Sequence, residues 1–338
     1  VAFQGQQEVQ SAFTVRGDGI GFELGRYDTG KRLRIDPVIS AATYLGGDAG
    51  ATGGGDLIRG AATDAAGNLY VAGATESPSF PVTESAAVTA YKGGPWTMFF
   101  AKFSWEGSLL YATYFGGDQL TIEPMALTAD PAGNNYITGY AYVGNFPATE
   151  GAFQKSRAGG RDAFALKLNP EGAVVYATLL GGESDDTGQA IAVDGEGSAY
   201  IGGSTSSAHF PVTEGALQTA AKGLPAGFVT KLSADGARLE YSTYLGGRFD
   251  TVQAIAVDAE RSAYAAGSVW SDDLPLSADA LRSKREFQDG FLLRLSPDGS
   301  SVWYSTLVGG ASSEQVRGVA VAASGMAYLG GSTYSWDL

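Results

Sequence analysis

The 338-residue chain is expected to be all-β: a β-propeller of four-stranded antiparallel blades, with a repeat of about 64 residues. Three observations carry this. One phrase returns at a near-constant interval, each return holds four strand-like runs separated by turn signals, and the first run of every unit is small at alternate positions.

The returning phrase is Tyr-Leu-Gly-Gly and its variants. It stands at Tyr44–Gly47, Tyr114–Gly117, Leu179–Gly182, Tyr244–Gly247 and Leu307–Gly310. Other markers keep the same period. A basic residue after an apolar run falls at Lys102, Lys167, Lys231 and Arg294, spaced 65, 64 and 63. Phe80-Pro81, Phe146-Pro147, Phe210-Pro211 and the variant Leu274-Pro275 repeat likewise. So does an aspartate at 64, 130, 194 and 258, with Ala322 in the fifth place.

Within one unit the elements follow in order. QAIAVD (189–194) is the first strand and SAYIGGS (198–204) the second. After a long loop, GFVTKLS (227–233) is the third and RLEYSTYLGG (238–247) the fourth. DAAG (64–67), DPAG (130–133), NPEG (169–172), DGEG (194–197) and SPDG (296–299) open on an Asp, Asn or Ser and close on Gly. That chemistry makes a type I turn ending in a left-handed residue, which joins antiparallel strands. DAER (258–261) lacks the glycine. The small pairs Gly60/Ala62, Ala126/Thr128, Ala190/Ala192, Ala254/Ala256 and Gly318/Ala320 suit innermost strands converging on an axis. The rivals are a β-solenoid, whose coils are shorter, and a string of sandwiches, which at this repeat length would be marginal.

Composition narrows the function. The net charge of −14 repels phosphate backbones and anionic membranes. Without cysteine there are no disulfides or thiolate metal sites. No run has the ~18 apolar residues of a membrane-spanning helix.

The unit IAVDGEGSAYIGGSTSSAHFPVTEGALQ…GFVTKLSADGARLEYSTYLGG strongly resembles the SBBP repeat, the beta-propeller repeat of bacterial surface and secreted proteins. The resemblance runs over about residues 40–338. It implies an extracellular or cell-surface location in a bacterium, and a scaffold or recognition role. Residues 17–40 resemble the end of the β-rich domain that commonly precedes such repeats. Val9, Phe13 and Val15, then Ile20, Phe22 and Leu24, alternate with polar or glycine positions and read as half-buried strands. The expected division is therefore 1–40, the C-terminal part of a preceding β-rich domain, and 41–338, about four and a half blades. The chain starts without Met and stops after the second strand of a unit. We expect an incomplete ring that continues into further blades.

Tight 1→2 and 3→4 turns leave the long 2→3 loops and the blade connections together on the other face, where binding usually sits. One column there is acidic in four of five units: Asp56, Asp186, Asp250 and Glu314, with Ile122 in the second. As a collar it could hold a hard cation such as Ca²⁺ through carboxylate oxygens. The competing reading, which we favour, is that each acid accepts N–H bonds in its own turn. Three residues on stand Arg59, Met125, Gln189, Gln253 and Arg317, which could line the channel or pair with the acids. The single His209 is unrepeated and reads as incidental. GDAGATGGGD (47–56) has no phosphate-loop lysine. The Phe-Pro aromatic reads as a buried plug between blades, and the repeated lysine as an outward strand residue whose stem covers apolar surface.

Two functions follow. The favoured one is a non-enzymatic extracellular scaffold or recognition module with a protein or glycan ligand, no cofactor and no catalytic residue. The alternative is a propeller enzyme, a lyase or glycan-acting hydrolase, with a site on the long-loop face. Asp185/Asp186 and Asp272/Asp273 are its candidate acids, although neighbours in a strand point opposite ways. Convergence of unlike residues from different blades would favour the enzyme.

Overall fold

The computed structural model describes residues 2–4, 7–16, 19–35, 42–48 and 55–338. Every regular element among them is a strand. None is a helix long and apolar enough to cross a membrane.

Among the described residues up to Ile35, two small sheets form. Strands β1 (Ala2–Gln4), β2 (Gln7–Val9) and β5 (Arg34–Ile35) form one, in the order β2-β1-β5. Strands β3 (Ser11–Arg16) and β4 (Gly19–Leu24) form a hairpin in which Phe13 pairs with Phe22 and Val15 with Ile20.

Four complete blades follow, each in strictly sequential order. Blade I is β6 (Leu57–Thr63), β7 (Leu69–Thr75), β8 (Thr97–Phe103) and β9 (Leu109–Phe115). Blade II is β10 (Thr121–Ala129), β11 (Asn135–Tyr142), β12 (Arg161–Leu168) and β13 (Val174–Leu180). Blade III is β14 (Asp186–Val193), β15 (Ala199–Thr205), β16 (Ala226–Leu232) and β17 (Leu239–Leu245). Blade IV is β18 (Thr251–Val257), β19 (Ala263–Val269), β20 (Asp289–Leu295) and β21 (Val302–Val308). A fifth unit holds β22 (Glu314–Val321) and β23 (Ala327–Thr333) alone. The blades form an open arc, in which each first strand packs on the first three strands of the blade before it.

The small first-strand residues are there because neighbouring innermost strands nearly touch. A methyl on Gly60 would stand 2.7 Å from the Leu127 amide nitrogen of the next blade. Between blades, large side chains fill the gap: Tyr70, Phe100, Ile122, Ile137 and Leu166 lie in one buried cluster across blades I and II. The turns follow their spelling. Asp64 Oδ1 accepts from the amides of Ala66 (3.0 Å) and Asn68 (2.9 Å), and Asp194 does the same for Glu196 and Ser198. Gly67 and Gly197 are left-handed, at φ 80° and 86°, and Arg261 takes that conformation at φ 68° where glycine is missing.

Two side-chain readings resolve differently. The Phe-Pro aromatics are plugs, as expected; Phe146 lies between blades, 6.0 Å from Phe115 of blade I, whereas Phe80 and Phe210 fill their own blade. Phe80 stacks on Phe99 at 4.3 Å and Phe210 on Phe228 at 4.5 Å. The repeated base does not face outward. Lys102, Lys167, Lys231 and Arg294 lie 4.9–5.2 Å over Tyr70, Tyr136, Tyr200 and Tyr264 of the adjacent strand. Lys231 is buried between Asp194 (3.3 Å) and Glu240 (3.0 Å). The tyrosine beside it supplies the ring face that the sequence pattern did not reveal. The first phrase, 42–47, lies in no strand, because no third strand pairs with it among the described residues.

Candidate functional site

The acidic column sits at the mouths of the first strands, but each acid works inside its own blade. Asp186 is fully buried and accepts from the Gly182 amide (2.7 Å), Ser207 Oγ (3.0 Å) and Thr205 Oγ1. Asp250 takes the amides of Gly247 (2.7 Å), Trp270 (2.7 Å) and Ser271 (3.0 Å) and the Ser271 hydroxyl (2.5 Å). Glu314 takes the Gly310 amide (3.1 Å) and the hydroxyls of Thr333 (2.7 Å) and Ser335 (2.5 Å). Asp56 accepts from Gly47 (2.9 Å). Asp186, Asp250 and Glu314 are thus clasps that tie the Gly-Gly connection to the end of the second strand, whereas Asp56 holds the connection alone and its Oδ1 is buried without a partner.

Blade II confirms the logic by exchanging the whole clasp. Ile122 replaces the acid, and Ala141 and Val143 stand where blade III has Thr205 and Ser207. No group of three or more His, Cys, Asp or Glu able to hold a metal stands among the described residues. Asp56, Asp186, Asp250 and Glu314, the residues of the expected collar, are each engaged in a separate hydrogen-bonded turn.

Two clasps have a second acid across the blade boundary. A methyl on Gly181 would lie 2.7 Å from both Asp162 Cγ and Asp186 Oδ2, and Gly309 separates Asp289 from Glu314 in the same way. Burial pushes the Asp162 and Asp289 carboxyls up, and Asp186 up to about 6.

The column three residues on has a structural origin. Arg59, Met125, Gln189, Gln253 and Arg317 are the extra residues of a β-bulge in each first strand. None pairs with a clasp acid; Arg59 instead reaches Glu123 of blade II, at 3.4 Å. His209 is exposed, 3.2 Å from Glu183. Asp185 faces solvent and accepts the Arg161 amide while Asp186 is buried. Asp272 pairs with Arg285 at 3.1 Å. Neither adjacent-acid pair converges on one point.

What does converge is a set of residues that the repeat markers passed over. A cleft of about 350 Å³ opens on the long-loop face between blades I and II. Blade I and its connection contribute Pro95, Trp96 and Gln119; blade II contributes Glu123, Tyr140, Tyr142 and Arg161. Strand geometry places them. Glu123 and Tyr140 are directly opposed in the β10–β11 ladder, and the Tyr140 hydroxyl donates to Glu123 Oε1. The same alternation that turns Ala141 toward Ile122 turns Tyr140 and Tyr142 the other way. Arg161, opening β12, lies 4.9 Å over Tyr140 and 5.9 Å over Tyr142. Burial, then Glu123, pushes the Tyr140 phenol up to about 12.

The signal for this cleft is departure from the repeat. The Glu123 position is Leu57, Thr187, Thr251 and Gln315 in the other units, and the Tyr140 position is Ala74, Ser204, Ser268 and Ser332.

No curated protein matches the chain. Among solved structures, Kuenenia stuttgartiensis hydrazine synthase is 8% identical with a TM-score of 0.45, covering 81% of this chain and 73% of that one. The extracellular domain of a hybrid two-component system from B. thetaiotaomicron is 8% identical with a TM-score of 0.39, covering 81% and 26%. A glucose dehydrogenase is 13% identical with a TM-score of 0.30, covering 71% and 90%. The family model for the SBBP beta-propeller repeat matches residues 110–147 and 175–211, which span the 4→1→2 passage of two successive units. Two stretches of the chain thus match the SBBP beta-propeller repeat, one where blade II begins and one where blade III begins.

Proposed function

We propose that this protein is a recognition and scaffolding module of a bacterial surface or secreted protein, binding a protein or glycan through its long-loop face without catalysing a reaction. The carrying observation is the blade I–II cleft: Trp96, Tyr140 and Tyr142 surround polar groups that fix orientation, the make-up of a binding site on a rigid scaffold. Its one lining carboxylate, Glu123, is engaged by Tyr140 and Arg59. Glycoside hydrolysis ordinarily uses two carboxylates flanking the bond. The Tyr140 phenol is pushed up, the wrong direction for a general base at neutral pH.

One observation favours the enzyme reading: unlike residues from two blades do meet in this cleft. The two readings separate in one experiment. The protein is incubated with a panel of immobilised polysaccharides and surface proteins, and the supernatants are assayed for new reducing ends and unsaturated uronates. Retention abolished by Trp96→Ala, with no product released, supports recognition. Product formation abolished by Glu123→Gln would overturn it.

A further inference from the structure

Arg161 is the one uncompensated charge in the cleft. Arg59 is matched by Glu123, whereas no hydrogen bond or ion pair engages the Arg161 guanidinium among the described residues. Three other arginines on this face are committed, while Arg248 stacks on Phe249 at 4.6 Å, outside the cleft. Arg157 donates to the Gly160 carbonyl (2.8 Å), Arg282 lies 3.4 Å from Asp289, and Arg285 3.1 Å from Asp272. Arg161 is instead held by its flat face against two tyrosine rings. Stacking fixes the plane and leaves the edge N–H groups free to grip a carboxylate bidentately. At the equivalent position the other complete blades carry Trp96, Pro225 and Gln288, so this cation is specific to blade II.

Resting on the recognition reading, we infer that the cleft binds a saccharide bearing a single carboxylate, such as a terminal uronate, with Arg161 holding the carboxylate and Trp96 or Tyr142 packing the sugar's apolar face. The aromatic lining favours a ring with one apolar face over a bare anion. The net charge of −14 disfavours a long polyanion, which one arginine could not offset.

The test compares methyl β-glucuronide with methyl β-glucoside, which differ only at the carboxylate, by titration calorimetry and by fluorine NMR of fluorotryptophan-labelled protein. The Trp96 resonance is assigned with Trp96→Phe. The glucuronide is expected to bind about tenfold or more tightly than the glucoside, the difference that charge-assisted hydrogen bonds make. Arg161→Ala should level the two sugars, and Arg161→Lys should keep part of the preference; both variants should retain the parent melting curve, since Arg161 is exposed. Equal binding of the two sugars, lost in Trp96→Ala, would overturn the carboxylate assignment and leave recognition standing. N-acetylglutamate amide binding as tightly as the glucuronide would overturn the saccharide assignment in favour of an acidic peptide. No binding of either sugar would overturn the inference, while the immobilised-ligand panel decides the recognition reading separately.

Discussion

Acidification should stabilise this protein before it destabilises it, and Asp186 is the reason. Its carboxyl is fully buried, and its pKa is pushed up to about 6 by burial, with Asp162 across Gly181 adding to the shift. Hydrogen bonds from Thr205, Gly182 and Ser207 oppose that shift and are outweighed. An unfolded aspartate titrates near 3.9, so the folded state binds the proton more tightly. The resulting stability is fully present below about pH 4 and is lost as the pH rises through about 6; it amounts to ~3 kcal/mol. From pH 7.5 to pH 5 roughly 1.5 kcal/mol of it returns, about 2 °C in Tm for a chain of this length. Asp162 and Asp289, also pushed up, act in the same direction. Asp64, Asp235 and Asp298, held low, reverse the trend below about pH 4. The assay is a melting series from pH 3.5 to 7.5 on the parent and on Asp186→Asn, which keeps an acceptor for Thr205 but no longer titrates. The parent Tm should rise on acidification to about pH 5, and the variant should lose about 2 °C of that rise. An identical slope in both proteins would refute the assignment to Asp186.

Three further outcomes follow from the packing. Ile122→Asp restores the clasp acid of the other blades but meets Ala141 and Val143 instead of hydroxyls, so a buried carboxylate without its hydroxyl donors should cost about 4 kcal/mol or more in denaturant titration; a near-neutral result would break the link between acid and donors. Phe210→Ala empties the plug over Phe228 and should cost about 3–5 kcal/mol, measured by urea unfolding; a loss under 1 kcal/mol would mean that the loop, not the ring, closes the blade. Lys231→Ala strands Asp194 and should cost about 3–5 kcal/mol, whereas Lys231→Arg, which keeps charge and stacking, should recover much of it; equal losses would point to packing of the lysine stem alone.

The fold was legible because its determinants recur. The AVD aspartate, the turn glycine and the third-strand base each answer a constraint that recurs from blade to blade, so spacing alone located strands to within a few residues. For blade III, 198–204 was expected and Ala199–Thr205 found. The first strand began earlier than expected, at Asp186, because the clasp acid itself joins the ladder opposite Thr205. The bulges at Arg59 and its counterparts were invisible, since a bulge is a matter of register between two strands and leaves the one-dimensional spacing intact. The stacking of Lys231 on Tyr200 was hidden for the same reason: the partners lie 31 residues apart and meet only through the β15–β16 pairing.

The cleft was missed because repetition was the criterion, and the cleft consists of exceptions. Both events in blade II lie on one strand end. Ile122 and Ala141 replace a polar clasp by an apolar pair on one side of β11, while Val143, just past the strand and left-handed at φ 57°, is exposed at the cleft. On the other side Tyr140 and Tyr142 replace small or differently used residues and line the cleft with Arg161. Within the strand, period-two alternation puts Ala141, opposite Ile122, on the face away from Tyr140 and Tyr142, so that pair can stay apolar while the cleft side is free to vary. Residues that agree across blades therefore report what holds the arc together, as the saturated Asp186 and Asp250 do. Residues that differ in one blade, against a scaffold that supplies the same backbone everywhere, are where a selective ligand contact can be built. Glu123, Tyr140 and Arg161 meet that criterion together, and Asp56, Asp186, Asp250 and Glu314 do not.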